Sequence, residues 1–256
     1  MNWTTFMAML ARDAHVARRN LVGLALQTTL QPLLFVFVFG KVMTTGRMIP
    51  ASYQGLLAPG LMGMSMLLTG LQAVAMPLIG EFLFTREIED RLLAPMTIGW
   101  LAVEKLVAGV IQALIAGTAV VLSARLILGE GVGLSLGRPV LLAAVVMLVA
   151  VFSAAAGLVL GCTVGMTQIG LMFSMVLSPM IFFGCVYYPW SVLSNFPLLQ
   201  KLVLLNPLVY ASEGLRGTLA PQYPHLPVRV VIAALLVIDA GLIGLGLRQF
   251  YRKAVS

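Results

Sequence analysis

The sequence predicts an all-α polytopic membrane protein of about six transmembrane helices, and three observations carry that prediction. Hydrophobic residues make up 60% of the 256 positions and charged residues only 10%, whereas soluble domains run at about 45 to 50% and about 25%. Several uncharged runs approach or exceed the roughly 20 residues that cross about 30 Å of hydrocarbon. The 16 Lys and Arg residues behind the net charge of +7 stand mostly at the ends of those runs, a placement that topology explains and nucleic acid does not. Membrane lipid is the expected solvent, and residues 1–256 read as a single transmembrane domain.

Residues 1–19 place Trp3, Phe6, Met7, Leu10 and Ala14 at helical spacing, with Thr5, Arg12 and Arg19 on another face. This is the pattern of a helix lying in the membrane surface. The alternative, the charged front of a signal peptide, fits less well because the next run is long and no A-x-A-like site closes it; the segment is expected to stay attached. A first span over 21–39 contains Gln27, Gln31 and Pro32, groups that must face protein or water within lipid. A second span over 53–79 is rich in Gly and Met.

Residues 81–105 then crowd eight charges, Glu81, Arg86, Glu87, Glu89, Asp90, Arg91, Glu104 and Lys105, between two apolar runs. They predict a cytoplasmic elbow in contact with water or with another subunit. A solvated loop of no further role is the plainer alternative. Spans three to five are expected over 106–128, 139–160 and 169–186. The short uncharged turn 161–168 joins the last two. Gly157, Gly161 and Gly165 recur every fourth residue, which lets helix backbones approach closely.

The longest connection, 187–227, is apolar with isolated charges. Asn206 followed by Pro207 reads as an N-cap and first helical residue, and Glu213 and Arg216 are spaced to pair on that helix. Two short helices re-entering the outer membrane surface are expected there. A sixth span over 228–247 ends in Arg248, Arg252 and Lys253. Six spans put both termini on one side, and a modest excess of Lys and Arg makes that side cytoplasmic.

The chain lacks the P-loop pattern G-x-x-x-x-G-K-[ST], H-E-x-x-H and G-x-S-x-G, and its only histidines, His15 and His225, are far apart in sequence. Neither ATP binding, metal-dependent proteolysis nor serine hydrolysis has a motif to rest on, so the expectation is a non-catalytic protein that holds no metal or cofactor. Cys162 and Cys185 are predicted near opposite faces of the bilayer. The 4.4–6.8 Å between Cα atoms typical of a disulfide would not join them, so two free thiols are expected. No inverted repeat of the kind found in many secondary transporters is visible.

Two further features invite a role in transport. Asp239 lies in the middle of the sixth span, where a carboxylate costs roughly 2.5 to 3.5 kcal/mol on insertion scales. It reads either as a protonated group hydrogen-bonded to a neighbouring helix or as a proton relay. Met175, Met180, Phe182, Phe183, Tyr187 and Tyr188 gather in one half of the fifth span. A kink at Pro179 would open them onto a lateral groove for an apolar substrate. An interfacial belt is the competing reading for Tyr187, Tyr188 and Trp190.

Two stretches, TREIEDRLLAPMTIGWLAVEKLVAGVIQALI over 85–115 and NPLVYASEGLRGTL over 206–219, set within six spans, give a chain that resembles the ABC-2 type family of ATP-binding-cassette permeases. It is most similar to the half-size bacterial exporters of drugs, lipids and polysaccharides. The resemblance implies a bacterial cytoplasmic-membrane protein whose coupling helix, at Arg86, Glu87, Glu89, Asp90, Arg91 and Leu92, docks into a separate ATP-binding subunit. ATP and Mg would be bound by that partner. It implies that Asn206, Pro207, Glu213 and Arg216 belong to an outer re-entrant helix, and that a second permease, an identical copy or a paralogue, completes the pathway. The chain departs from the family pattern at Glu89 and Asp90, where a small Gly or Thr pair is common. Two other classes compete with this reading: a proton-coupled secondary transporter working through Asp239, and a membrane scaffold that moves nothing.

Overall fold

In a computed structural model, which describes residues 30, 33–48, 50, 53–82, 98–129, 133–165 and 168–255, the chain forms α1 (Leu33–Thr45), α2 (Tyr53–Gly80), α3 (Ile98–Leu128), α4 (Pro139–Thr163), α5 (Gly170–Phe182), α6 (Pro197–Leu202), α7 (Pro207–Leu219) and α8 (Val228–Val255). Among the described residues there is no strand. Four helices, α2, α3, α4 and α8, are long and apolar enough to cross a membrane. At 1.5 Å per residue they run about 38 to 46 Å, more than the hydrocarbon thickness.

The remaining two expected spans come out differently. Within the described residues, α1 and α5 are each shorter than a full crossing. The expected first span begins outside the described residues, and so does the interfacial helix expected over 1–19. α5 winds as a π-helix over Phe173–Leu177 before an α-turn at Ser178–Phe182, so the irregularity precedes Pro179. Helical winding then stops at Phe182, short of the expected end at 186. In the turn that follows, Cys185 adopts φ 54°, a left-handed conformation that non-glycine residues rarely take.

α2 is the centre of the bundle. Leu57, Leu61, Met64, Met66, Leu67, Leu71 and Leu78 along it are fully or nearly fully buried, covered by α3, α4 and α7. Small residues set how near these helices come. A Cβ on Gly157 of α4 would stand 2.6 Å from the Leu71 carbonyl oxygen, and one on Gly161 would stand 3.0 Å from Leu78 Cβ. Gly165, expected to extend this seam, lies beyond the end of α4, and a Cβ there would meet nothing within 4 Å among the described residues. α8 packs on α4 and runs on to Val255, past the expected limit at 247. Its last-turn basic residues Arg252 and Lys253 suit the negative end of the helix dipole.

The expected elbow is shorter than 81–105. α2 continues its winding through Glu81 and Phe82, and α3 begins at Ile98. Glu81, Glu104 and Lys105 therefore belong to helix ends and are buried. Opposite charges held together within the protein do not require the water that isolated ones would.

Candidate functional site

Two buried charge clusters mark opposite ends of the bundle, about 30 Å apart along α2. At the end bordering residues 83–97, Lys105 of α3 places its Nζ 2.8 Å from Glu81 Oε1 of α2 and 3.9 Å from Glu104 Oε2. Glu104 is 0% and Lys105 3% exposed. Phe82, the next residue after Glu81, packs edge-on to Phe250 of α8 with ring centroids 5.8 Å apart. Lys253, one turn beyond Phe250, lies 4.7 Å from the centre of the Phe82 ring and donates to the Gly161 carbonyl of α4 at 3.4 Å. The ends of four helices meet here. The coupling candidates Arg86, Glu87, Glu89, Asp90, Arg91 and Leu92 lie outside the described residues, in the connection that leaves this cluster.

At the other end, α7 starts where cap chemistry dictates. The Asn206 side chain accepts from the Leu208 N–H at 3.0 Å and donates to the Met180 carbonyl at 2.7 Å, with Pro207 in the first turn. One turn further on, Glu213 and Arg216 are both fully buried and paired through Arg216 Nη1 and Glu213 Oε1. The same Glu213 oxygen accepts from the Trp190 N–H at 2.9 Å, while Oε2 accepts from the Leu226 N–H at 2.8 Å. Arg216 Nη2 donates to the Cys185 carbonyl at 2.9 Å. Burial pulls the Arg216 guanidinium below its ordinary value, and the Glu213 carboxylate is the chief influence in the other direction. The pair thus fastens three separate pieces of chain, at 185, 190 and 226, to one helix.

The residues expected to form one apolar pathway divide between two surroundings. Met175, Phe182 and Phe183 are exposed. Tyr187 turns inward, with its ring centroid 5.7 Å from Phe35 and 6.4 Å from Phe39 of α1. Its hydroxyl lies 3.8 Å from Met64 Sδ, and its carbonyl accepts from the Tyr53 hydroxyl at 2.7 Å. Met180 packs at the margin of the core, and the Tyr188 hydroxyl donates to the Phe182 carbonyl at 3.0 Å. Phe35, Phe39, Tyr53 and Met64 were not singled out from sequence. Their meeting with Tyr187 depends on the turn at Cys185.

Asp239 is 4% exposed, and neither carboxylate oxygen has a hydrogen-bond partner among the described residues. The inter-helix hydrogen bond that one of its two readings supposes is not formed among the described residues. Both cysteines are free and buried.

The sequence profile described as ABC-2 type transporter matches residues 4–220. The chain belongs to the ABC-2 type transporter family. The matched segment holds both stretches on which the resemblance rests, and α8 falls beyond it. The inner membrane transport permease YadH of Escherichia coli strain K12 is 28% identical over 217 residues, covering 84% of this chain and 82% of that relative. The YadH permeases of Escherichia coli O157:H7 and of Shigella flexneri are similar to the same degree over the same share of each chain. The bundle is accordingly that of a multi-pass ABC-2 permease, a membrane subunit of a transporter.

Proposed function

We propose that this ABC-2 permease is the transmembrane subunit of an ABC exporter that moves a hydrophobic or amphipathic substrate, such as a drug, a lipid or a lipid-linked glycan, out of the cytoplasm. The observation that carries the proposal is the family match over 4–220 in a chain without a P-loop, since a permease that cannot bind ATP by that motif needs a motor subunit. ATP and Mg are bound by that partner, which docks at Arg86, Glu87, Glu89, Asp90, Arg91 and Leu92. Nucleotide then shifts the permease between inward-open and outward-open states through its differential affinity for them. Six crossings, with α1 and α5 as parts of the first and fifth, put both termini in the cytoplasm, and 187–227 lies at the outer surface. A second permease, identical or paralogous, closes the pathway by two-fold pairing. Met175, Met180, Phe182, Phe183, Tyr187 and Tyr188 line the substrate's route.

The test is co-purification with a P-loop ATPase subunit, beginning with one encoded beside this chain. The complex should hydrolyse ATP faster than the ATPase alone. Glu87→Lys with Asp90→Lys should abolish that stimulation while the chain stays folded; unchanged stimulation would remove the docking assignment. A second reading, proton-driven transport through Asp239, is favoured by the buried carboxylate, which has no hydrogen-bond partner among the described residues. It predicts substrate movement that follows a pH gradient and ignores ATP.

A further inference from the structure

At the end of α2, two consecutive residues grip two different helices. Glu81 holds α3 through Lys105 at 2.8 Å, and Phe82 holds α8 through the Phe250 ring and the Lys253 ammonium at 4.7 Å. Lys253 also reaches α4 at the Gly161 carbonyl. We propose that Lys105 and Lys253 are positioning residues that join the ends of α2, α3, α4 and α8 into one unit, so that force arriving at the ends of α2 and α3 is delivered to α8 as well. The proposal rests on the ATPase-coupled reading above.

Apolar packing alone would let these helix ends slide, because lipid tails are as apolar as the side chains and give no net drive toward one register. A buried ion pair and a cation over a ring are tied to particular atoms. Lys105 stands within reach of two buried carboxylates, Glu81 and Glu104. Removing its charge takes away the ammonium that ties the end of α2 to α3 through Glu81, and breaking a buried pair from one side weakens the junction it makes. Lys253 acts on the other side of the same helix end. α8 lies outside the family-matched segment, and at the bundle end the Phe82 and Lys253 contacts add to the apolar packing of Phe250 with Val74, Leu78, Leu101 and Leu158.

The experiment uses the full chain, co-purified with its P-loop ATPase subunit and reconstituted into phosphatidylethanolamine and phosphatidylglycerol vesicles. The readout is ATP hydrolysis by the complex relative to the free ATPase, alongside assembly by size-exclusion chromatography. Lys253→Gln should assemble yet lose about tenfold in stimulation, a size usual for coupling between sites. Lys105→Met should behave likewise, whereas Lys105→Arg should retain stimulation, a rescue that follows charge and not mere bulk. Should Lys105→Met fail to assemble, the exchange Glu81→Lys with Lys105→Glu takes its place: assembly with stimulation supports the proposal, and assembly without it overturns the Lys105 role. If the exchange also fails to assemble, Lys253→Gln decides. Full stimulation by an assembled Lys253→Gln complex overturns the link to α8. A wild-type chain that stimulates no ATPase strikes the functional reading itself; stimulation kept by every variant strikes only the positioning role.

Discussion

Gly60, in the first half of α2, lies directly against the backbone of Val186: a Cβ at position 60 would stand 1.9 Å from the Val186 carbonyl oxygen. No flexible side chain can yield there, because the obstacle is main chain, and that main chain is held by Arg216 at the neighbouring Cys185 carbonyl. The contact fixes the turn after α5 against the central helix.

Gly60→Ala should therefore destabilise the detergent-solubilised protein by about 1 to 3 kcal/mol, the usual cost of overpacking. The midpoint of thermal unfolding measures it. Gly165→Ala, where a Cβ meets nothing within 4 Å among the described residues, should stay within about 0.5 kcal/mol of wild type.

The buried Glu213–Arg216 pair should be costly to break from one side. Arg216→Leu alone or Glu213→Leu alone is expected to lose about 3 to 5 kcal/mol, because each leaves a charge buried without its partner. Arg216→Leu combined with Glu213→Leu should cost much less than the sum of the two. A double-mutant cycle on folded yield and unfolding midpoint reads the difference.

Asp239 distinguishes the two transport readings. For an ATP-driven permease, Asp239→Asn should move substrate at the wild-type rate with no dependence on a pH gradient. Asp239→Leu should raise the unfolding midpoint, since it removes a buried polar group that forms no hydrogen bond among the described residues. Loss of transport in the Asn variant would instead bring the proton-driven reading forward.

The thiols offer a check on the fold itself. Cys185 is fully buried and Cys162 8% exposed, so a membrane-permeant maleimide should label neither in the native protein and both after denaturation. A mild oxidant should form no intramolecular disulfide. Rapid native labelling of Cys185 would contradict the packing of the turn it occupies.

Local chemistry was legible in the sequence, and long-range closure was not. Asn206 and Pro207 announced the start of α7 because a cap is decided within four residues. The spacing of Glu213 and Arg216 announced their pairing for the same reason. Nothing near them in sequence announced that the Trp190 N–H, the Leu226 N–H and the Cys185 carbonyl would complete the network. Glu81, Glu104 and Lys105 were read as loop because charge counts register ions one at a time. The neutralising contact spans 24 residues, and only antiparallel packing of α2 and α3 brings it together. In α5, the π-helix over Phe173–Leu177 changes the residues per turn and the helix ends at Phe182, so residues that gather in one half of the expected span need not share one surrounding. Met175 and Phe182 face outward, and Tyr187 sits past the turn in the core.

The enclosure of α2 has a consequence for how the protein is made. Of the four long helices it is the least apolar and the most covered, with Ser65 and Thr69 buried and Pro59 and Pro77 inside it. Yet it leaves the ribosome early, and its cover arrives only with α3, α4 and finally α7. During that interval it has only α1 to face, through contacts such as the Gln54 side chain on the Gly40 carbonyl, and its buried hydroxyls and glycine-lined flank wait for the later helices. Biogenesis of this permease thus includes a stage in which the helix most dependent on company has only α1 beside it, and an insertase or chaperone that shelters one hydrophobic segment while the next are synthesised would act on α2 first.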